Sequence, residues 1–534
     1  MTAAKSDDSA RQILVLLGVW LIAAVVLTIL ALPNLSSPGL YYDEAVNGGL
    51  ARDFAAGPSH GIHMPGTVAV SLFGRPFPVL VQWYSGAVKP WLIIPSLLCF
   101  DATTAVLRAT SLFWYLVALL ICMLWTRRLL GLSAAILLVP ILGFDPSCFF
   151  PGIVDWGPIL PSFLCRFAGY YFLLRWWRDR KNLSGFLGGL ALGLGFFAKI
   201  DFVVILAGSG IAVAVVYGKD ILAFLRRSFN DCTWLCLGFC LGAGPMVLQI
   251  VCSFPETMRK TRITEPVKLT EKLSVVAAMY DGSYFYRLVN SGGKLVLDSY
   301  FCLGGAFGWA VVLCAILLTL RIVRRRGEAA ERQRLAFLLL SAILITIGML
   351  LLPPARHIHH HLAVYPFPHL IVVAAVLLLW RKSPSHALGK WGLRTCAVVI
   401  AVAVIGGHVL AMRQTQCVLA ATGGRGNWSD SIQKLCDDVK DQRDLAVISL
   451  DWGFNEQLCY LCTEQPLLEP LWSEQPPPVS PMCLYLVHPS EYATFGSGME
   501  FYRELKHAHP HKVSVRPYTD RQGRVAFYAI RLLK

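Results

Sequence analysis

The stretch "SSPGLYYDEAVNGGLARDF", Ser36 to Phe54, follows directly on an apolar run from Gln12 to Leu32. A run of about twenty apolar residues is long enough to span a bilayer. Just beyond it, Asp43 and Glu44 stand side by side between two tyrosines and a helix start. Adjacent carboxylates at a membrane surface point to chemistry there. They are also what the first turn of a helix favours, because acids meet the positive end of its dipole. Which reading holds depends on what the rest of the chain builds around them.

Composition fixes the solvent. Charged residues make up 15% of the 534 and hydrophobic ones 55%. Apolar windows of spanning length recur along most of the chain, as in a polytopic helical membrane protein and unlike a soluble core. The formal charge of +15 does not read as a nucleic-acid footprint, because the excess falls in tight clusters beside the apolar runs. These are "TRR" ending at Arg128, "RWWRDRK" ending at Lys181, "GKDILAFLRRS" around Arg226, "RIVRRR" ending at Arg326, and "RK" at Arg381 with "GKWGLR" ending at Arg394. By the positive-inside rule they mark every second loop as cytoplasmic, which gives about eleven spans with the N-terminus inside and the C-terminus outside.

The spans are expected to start near Gln12, Thr104, Leu132, Trp156, Ser184, Phe202, Thr233, Tyr300, Leu335, Leu362 and Thr395. The fifth and sixth are short and read either as two helices or as one kinked pair around "FFAKIDF". One loop runs against the charge rule: Ser253 to Ser299 falls outside yet carries Arg259, Lys260, Arg262, Lys268 and Lys272. It also holds Glu256, Glu265 and Glu271, and long loops weigh little in that rule. The first run reads as a retained signal anchor, being long for the apolar region of a leader and followed only by the weak cleavage sequence "ALPNLSS".

Past Ala411 the composition changes. A capped amphipathic helix from about Ser429 to Lys440 precedes the strand-like runs "LAVISL", "MCLYLVHP" and "RVAFYAIRLL". The expected architecture is therefore an all-α polytopic membrane domain over 1–411, with a first external loop over 33–103, and a small extracytoplasmic α/β domain over 412–534. Most of the sixteen cysteines sit inside spans, where an isolated Cys acts as a small hydrophobe. Cys417, Cys436, Cys459, Cys462 and Cys483 lie in the external region, and the Cys459-x-x-Cys462 pair is open to a disulfide, half a metal site, redox chemistry, or plain burial on an apolar helix.

With this topology Asp43, Glu44, Lys89, Arg108, Asp145, Asp155, Lys199, Asp201, Arg356, His357, His359, His360 and His361 all fall at external helix ends or in external loops. Ionisable groups at membrane depth are expensive, so their gathering at one face marks a site. Each also has a plainer role. Lys89 and Arg108 can snorkel to the interface, Asp145 can open a turn before Pro146, Asp155 can cap a span, and Lys199 can pair with Asp201. His357 and His361, four apart, could share a metal on a helix.

Taken in order, these residues resemble the GT-C integral-membrane glycosyltransferases, in particular the group of dolichyl-phosphate-mannose protein mannosyltransferases and bacterial lipid A aminoarabinose transferases. "YYDEA" matches the Asp-Glu pair after span one, "YSGAVKPWL" a Lys-Pro segment, and "AVLRATSLFW" an Arg opening span two. "GGLALGLGFFAKIDF" is similar to the family's Gly-rich fifth span leading to a Lys, and "HHHLAVYPFPHL" to its His and Tyr-Pro-Phe segment. The resemblance covers roughly Gln12 to Trp380. The sequence departs from the aminoarabinose transferases in having "GAVKP" where a Glu precedes the Lys.

The resemblance implies sugar transfer, with inversion, from a polyprenyl-phosphate donor to an acceptor hydroxyl on the extracytoplasmic side of a bacterial inner membrane, the acceptor being a lipid, a glycan or a protein. Asp43 is the expected base, with Glu44, Asp145 and Asp155 as further catalytic candidates. Lys89, Arg108, Lys199 and Arg356 would grip the donor phosphate, and Glu44, His359 and His360 are candidate ligands for a divalent metal ion. Two other classes share the composition. A secondary transporter would place its ionisable groups near the midplane, often in repeated halves, and no internal repeat is present. A polytopic sensor or assembly protein of the cell envelope would not need cations within the spans.

Overall fold

The computed structural model describes residues 2–57, 66–154, 156–261, 267–292, 305–353, 355–381, 387–462, 465–470 and 476–533. A long first helix, α1 (Thr2–Ala31), leads into a folded loop. That loop holds α2 (Tyr42–Ala56), an antiparallel sheet of β1 (Val68–Leu72), β2 (Arg75–Gln82) and β3 (Ser85–Gly86), and α3 (Val88–Leu97). The bundle continues through α4 (Thr104–Leu130), α5 (Leu132–Gly143), α6 (Pro146–Val154), α7 (Ile159–Asp179), α8 (Asn182–Ala198) and the helical run α9 (Phe202–Thr261). Two short helices, α10 (Leu269–Tyr280) and α11 (Tyr284–Ser291), precede α12 (Gly305–Val323), α13 (Ala329–Leu351), α14 (Ile358–His361), α15 (Phe367–Arg381) and α16 (Ala387–Thr422).

Among the described residues, seven helices are long and apolar enough to cross a membrane. The number is nine if each of two bent pairs is one span: α5 with α6, bent by 69°, and Ile358–Val364 with α15, bent by 41°. Both bends fall where a proline, Pro146 or Pro366, interrupts the helical ladder. Against the expected eleven or so spans, α7 and α8 fall outside this count by charge and by length. A helix stands at or near each expected start that is described, Tyr300 lying outside the described residues; α7 carries Arg166, Arg175, Arg178 and Asp179, and α8 has only 17 residues.

The run α9 holds two candidate spans, Phe202–Arg226 and Asp231–Ser253. Gly189 and Gly193 of α8 lie against Leu235, Phe239 and Ala243, in ascending order along both helices. The second span therefore runs parallel to α8, while the first starts where α8 ends, so α9 doubles back between Arg226 and Asp231. Contact is backbone to backbone. A Cβ added at Gly189 would stand 2.1 Å from the Leu235 carbonyl oxygen, and one at Gly238 2.1 Å from that of Phe186. Only glycine lets the helices approach this closely.

The basic clusters gather at one end of the bundle. Arg128 lies 3.8 Å from Asp179, the Arg334 guanidinium donates to the Leu129 carbonyl at 3.1 Å, and Arg321 pairs with Glu331 at 3.0 Å. The opposite end carries α2. There Lys272 of α10, from the basic loop that ran against the charge rule, is buried and donates to the carbonyls of Leu350 at 2.9 Å and Leu352 at 2.6 Å.

Helix α16 continues past Ala411 to Thr422, so the sheet domain begins beyond the expected boundary at 412. Its five strands are β4 (Ala446–Ser449), β5 (Leu467–Leu468), β6 (Cys483–Val487), β7 (Val513–Thr519) and β8 (Val525–Leu532), in the order β5-β4-β6-β8-β7. Strand β4 is parallel to both neighbours and β8 antiparallel to both. Helices α17 (Ser431–Val439), α18 (Asn455–Leu461) and α19 (Ser497–Ala508) flank the sheet. A disulfide joins Cys436 of α17 to Cys462 just past α18. This corrects the reading of Cys459-x-x-Cys462 as one unit: Cys462 pairs with Cys436, and Cys459 is a buried thiol.

Candidate active site

Helix α2 decides the fate of the two acids. Tyr41 is extended, with φ −91° and ψ 155°, and caps the helix, so Asp43 and Glu44 both lie in its first turn. Glu44 turns inward. One of its oxygens accepts the Tyr41 backbone N–H at 3.2 Å, and its carboxylate takes a two-pronged bond from Arg108, Nε at 2.9 Å and Nη2 at 2.8 Å. The remaining Arg108 donors go to the carbonyls of Asn34, Pro38 and Gly39. Both residues are buried, and all five N–H donors of the guanidinium are used. Arg108 is thus a clamp on the loop after α1, which corrects the expectation that it grips phosphate, and Glu44 is its counter-ion.

Asp43 turns the other way and is only partly buried. Burial raises its pKa, while Lys89, Lys199 and the Gly157 backbone N–H draw it back down. The two lysines come from different elements. Lys89 opens α3 and is buried. Lys199 sits between α8 and α9, whose junction is pinned to β3: the Ser85 hydroxyl donates to the Ala198 carbonyl at 3.1 Å, and the Ile200 N–H donates to that of Tyr84 at 3.1 Å. Lys199 also pairs with Asp201 at 3.2 Å, and His360 Nδ1–H donates to the same carboxylate at 2.8 Å. Burial alone would push Asp201 up; Lys199 and His360 outweigh it and hold the carboxyl down at about 2. Asp201 therefore stays ionised.

Aromatic rings wall this recess. Tyr41 stacks on Trp428 of the sheet domain with centroids 3.9 Å apart and meets Trp156 edge-on at 5.9 Å. Tyr42 packs on Trp452 at 4.4 Å. The Tyr284 hydroxyl bonds His357 Nδ1 at 3.1 Å, and the His359 ring covers Gly157, whose φ of +69° suits a residue without a side chain.

The other expected residues fall elsewhere. Asp145 is buried in the bundle core, where it accepts the Ser147 N–H at 2.8 Å and lies 2.9 Å from His369 Nε2, so it caps α6 instead of joining Asp43. Arg356 is exposed next to His357. Asp155 lies outside the described residues. Of the proposed metal ligands, the Glu44 carboxylate is taken by Arg108 and His360 Nδ1 by Asp201, while His359 Nδ1 has no hydrogen-bond partner among the described residues. Among the described residues, no group of three or more His, Cys, Asp or Glu is placed to hold a metal ion.

Sequence reasoning missed Arg166, in the apolar setting "SFLCRFAGYY" of α7. It is fully buried and lines a small cavity with Lys199, Asp201, His359 and His360. The signal was present, since an ionisable residue within a span is a functional candidate by default.

A bundle with one acid-bearing loop after its first span and a sheet domain closing over that loop is the fold of the GT-C membrane glycosyltransferases. The aminoarabinose transferase ArnT from Cupriavidus metallidurans, in a crystal structure bound to undecaprenyl phosphate, matches with a TM-score of 0.56 over 98% of this chain and 98% of its own, at 13% identity. Its apo form matches at 0.54 over 99% and 98%, also at 13% identity. The oligosaccharyltransferase of Archaeoglobus fulgidus in its apo form matches at 0.51 over 94% of this chain and 69% of its own, at 15% identity. These likenesses establish the fold of an integral, multi-pass membrane protein. No family model and no curated protein matches the sequence.

Proposed function

We propose that this protein is a glycosyltransferase that moves a sugar from a polyprenyl-phosphate donor to an acceptor hydroxyl, with inversion, on the extracytoplasmic face of a bacterial inner membrane. The observation that carries the reading is Asp43: a partly exposed carboxylate in the first turn of α2, with its pKa raised by burial, within the field of Lys89 and Lys199. A base needs that raised affinity for a proton, and the leaving phosphate needs those cations. The likeness in fold to an enzyme crystallised with undecaprenyl phosphate supports a lipid-phosphate donor.

In the proposed step the acceptor oxygen attacks the anomeric carbon while its proton passes to Asp43. The bond from that carbon to the phosphate oxygen breaks, and its electron pair stays on the oxygen. The phosphate gains negative charge beside Lys89 and Lys199, which therefore stabilise the transition state more than the bound donor. One carboxylate suffices for a single displacement. Sidedness is supported by the Cys436–Cys462 disulfide, since such bonds persist in oxidising compartments, and by the basic clusters at the end of the bundle opposite Asp43.

The test is transfer of radiolabelled sugar from polyprenyl-phosphate donors to extracted envelope acceptors by purified protein. Asp43→Asn keeps the shape but cannot take a proton, so turnover should fall by about a hundredfold or more with donor binding nearly unchanged. Normal turnover in that variant would remove Asp43 as the base. For sidedness, a reporter active only outside the cytoplasm should be active when fused after Lys534 and silent after Arg326; the reverse pattern would place the recess in the cytoplasm.

A further inference from the structure

Arg166 is a buried cation that the reaction as described does not use. It stands on α7, two turns into the bundle, with no exposed surface. Its Nη1 donates to the Leu362 carbonyl at 3.2 Å and to that of Ala363. The rings of Phe163 and Phe167 flank the guanidinium, 5.0 Å and 5.3 Å from its carbon. Among the described residues, Nε and Nη2 have no hydrogen-bond partner, and no carboxylate pairs with the group. A guanidinium buried among apolar helices without a counter-ion is costly, and such groups are kept where they meet one in the working protein.

The two orphaned donors define the counter-ion. Nε and Nη2 lie on one edge of the planar group and point the same way, which is the fork that takes two oxygens of a phosphate or carboxylate. Arg166 lines the same cavity as Lys199, whose charge also acts on Asp43. A second unpartnered polar atom, His359 Nδ1, belongs to that cavity's lining. The lining also holds Ser162, His360 and the Asp201 carboxylate, which Lys199 and His360 neutralise, and its remaining members, Phe163, Ile205 and Met349 among them, are apolar. Apolar side chains around the cation favour an anion that carries a hydrocarbon chain over a free, fully hydrated one.

We propose that Arg166 is the seat of the lipid carrier's phosphate, holding two of its oxygens through Nε and Nη2 while Lys199 marks the side from which the sugar leaves. This rests on the glycosyltransferase reading above and names a residue for its leaving group. Cleavage converts a phosphodiester with one negative charge into a phosphomonoester that carries a further charge on the former bridging oxygen. A two-pronged cation binds the second more tightly than the first, so Arg166 would both favour bond breaking and retain the spent carrier.

The experiment is equilibrium binding to the full-length protein in detergent, with polyprenyl monophosphate, the uncharged polyprenol and inorganic phosphate as the three probes. Wild type should bind the monophosphate far more tightly than either of the others. Arg166→Lys keeps the charge and a donor for the two carbonyls but loses the fork, and Arg166→Gln loses the charge. Each should weaken binding of the monophosphate by about tenfold or more and leave polyprenol binding unchanged. Should both variants fail to fold, Ser162→Phe fills the same cavity without removing the cation and should cause the same loss. Monophosphate binding at wild-type strength in folded Arg166 variants, or in Ser162→Phe, would overturn the assignment, as would inorganic phosphate binding as tightly as the lipid. The two readings fail separately. Arg166-dependent binding without transfer from any donor would sink the transferase and leave the phosphate site, whereas transfer with binding indifferent to Arg166 would do the opposite.

Discussion

At Asp43 burial and two lysines pull in opposite directions, and burial wins. In the proposed step Asp43 acts in its ionised form, so kcat/KM should fall as pH drops through a midpoint above the ordinary aspartate value of about 3.9. Lys89 and Lys199 favour the charged form. Removing either should therefore move the acid limb to higher pH, in addition to weakening donor binding. A pH profile of Lys199→Ala with the wild-type midpoint would show that its charge does not reach Asp43. Glu44, one residue on, has a different part: without Arg108 its charge would be buried and unpaired, which costs about 3–5 kcal/mol. That Asp43 and Glu44 divide these roles was half legible in the sequence. Both stand after the first span, and a short side chain beside a helix start was reason enough to choose Asp43. Nothing along the chain says that Arg108 is spent on Glu44, since a charge near a helix start reads alike whether it is partnered or free. Asp145 failed in the same way, because its partner His369 lies far off in sequence.

The helices were legible because apolar length is a local property, and each expected span whose start is described has a helix at or near its place. Their bends and reversals were not, because these depend on neighbours. The fifth and sixth spans resolve into α8 and the first half of α9, with Lys199 extended between them, φ −161°, and the second half of α9 returns alongside α8. The strands of the sheet domain likewise followed from alternation, while the partner of Cys462 could not follow from spacing, since five cysteines allow many pairings. The glycine seam between α8 and α9 carries a test at this scale. Gly189→Val would put side-chain atoms where the Leu235 carbonyl stands and force the helices apart, at about 1–3 kcal/mol for an overpacked contact. The junction that displaces is the one bearing Lys199 and Asp201, so both the midpoint of thermal unfolding in detergent and donor affinity should fall together. Loss of stability with intact donor affinity would uncouple the seam from the site.

At the scale of the whole molecule the sheet domain is part of the recess. Arg52 of α2 donates to the carbonyls of Cys459 at 2.5 Å and Tyr460 at 3.1 Å, the Tyr460 hydroxyl reaches the Thr103 carbonyl at 3.2 Å, and Arg521 holds the Ser37 hydroxyl at 2.7 Å. Trp428 is the centre of this join. It is fully buried, stacks face to face on Tyr41, and meets Trp156 and Phe285 edge-on. Tyr41 caps the helix whose second residue is Asp43, so the domain bears on where Asp43 points, while the cations that act on it, Lys89 and Lys199, come from other elements. Trp428→Ala should cost about 3–5 kcal/mol, as for other buried tryptophans, and free Tyr41 to move. Because Lys89, Lys199 and Arg166 belong to the membrane part, binding of polyprenyl monophosphate should change little while turnover falls. Trp428→Phe keeps a ring beneath Tyr41 and should restore most of the turnover, which a purely structural loss would not distinguish from alanine at equal stability. Equal turnover in Trp428→Ala and wild type, measured below the unfolding transition of both, would make the sheet domain a separate module and leave the placing of Asp43 to the bundle alone.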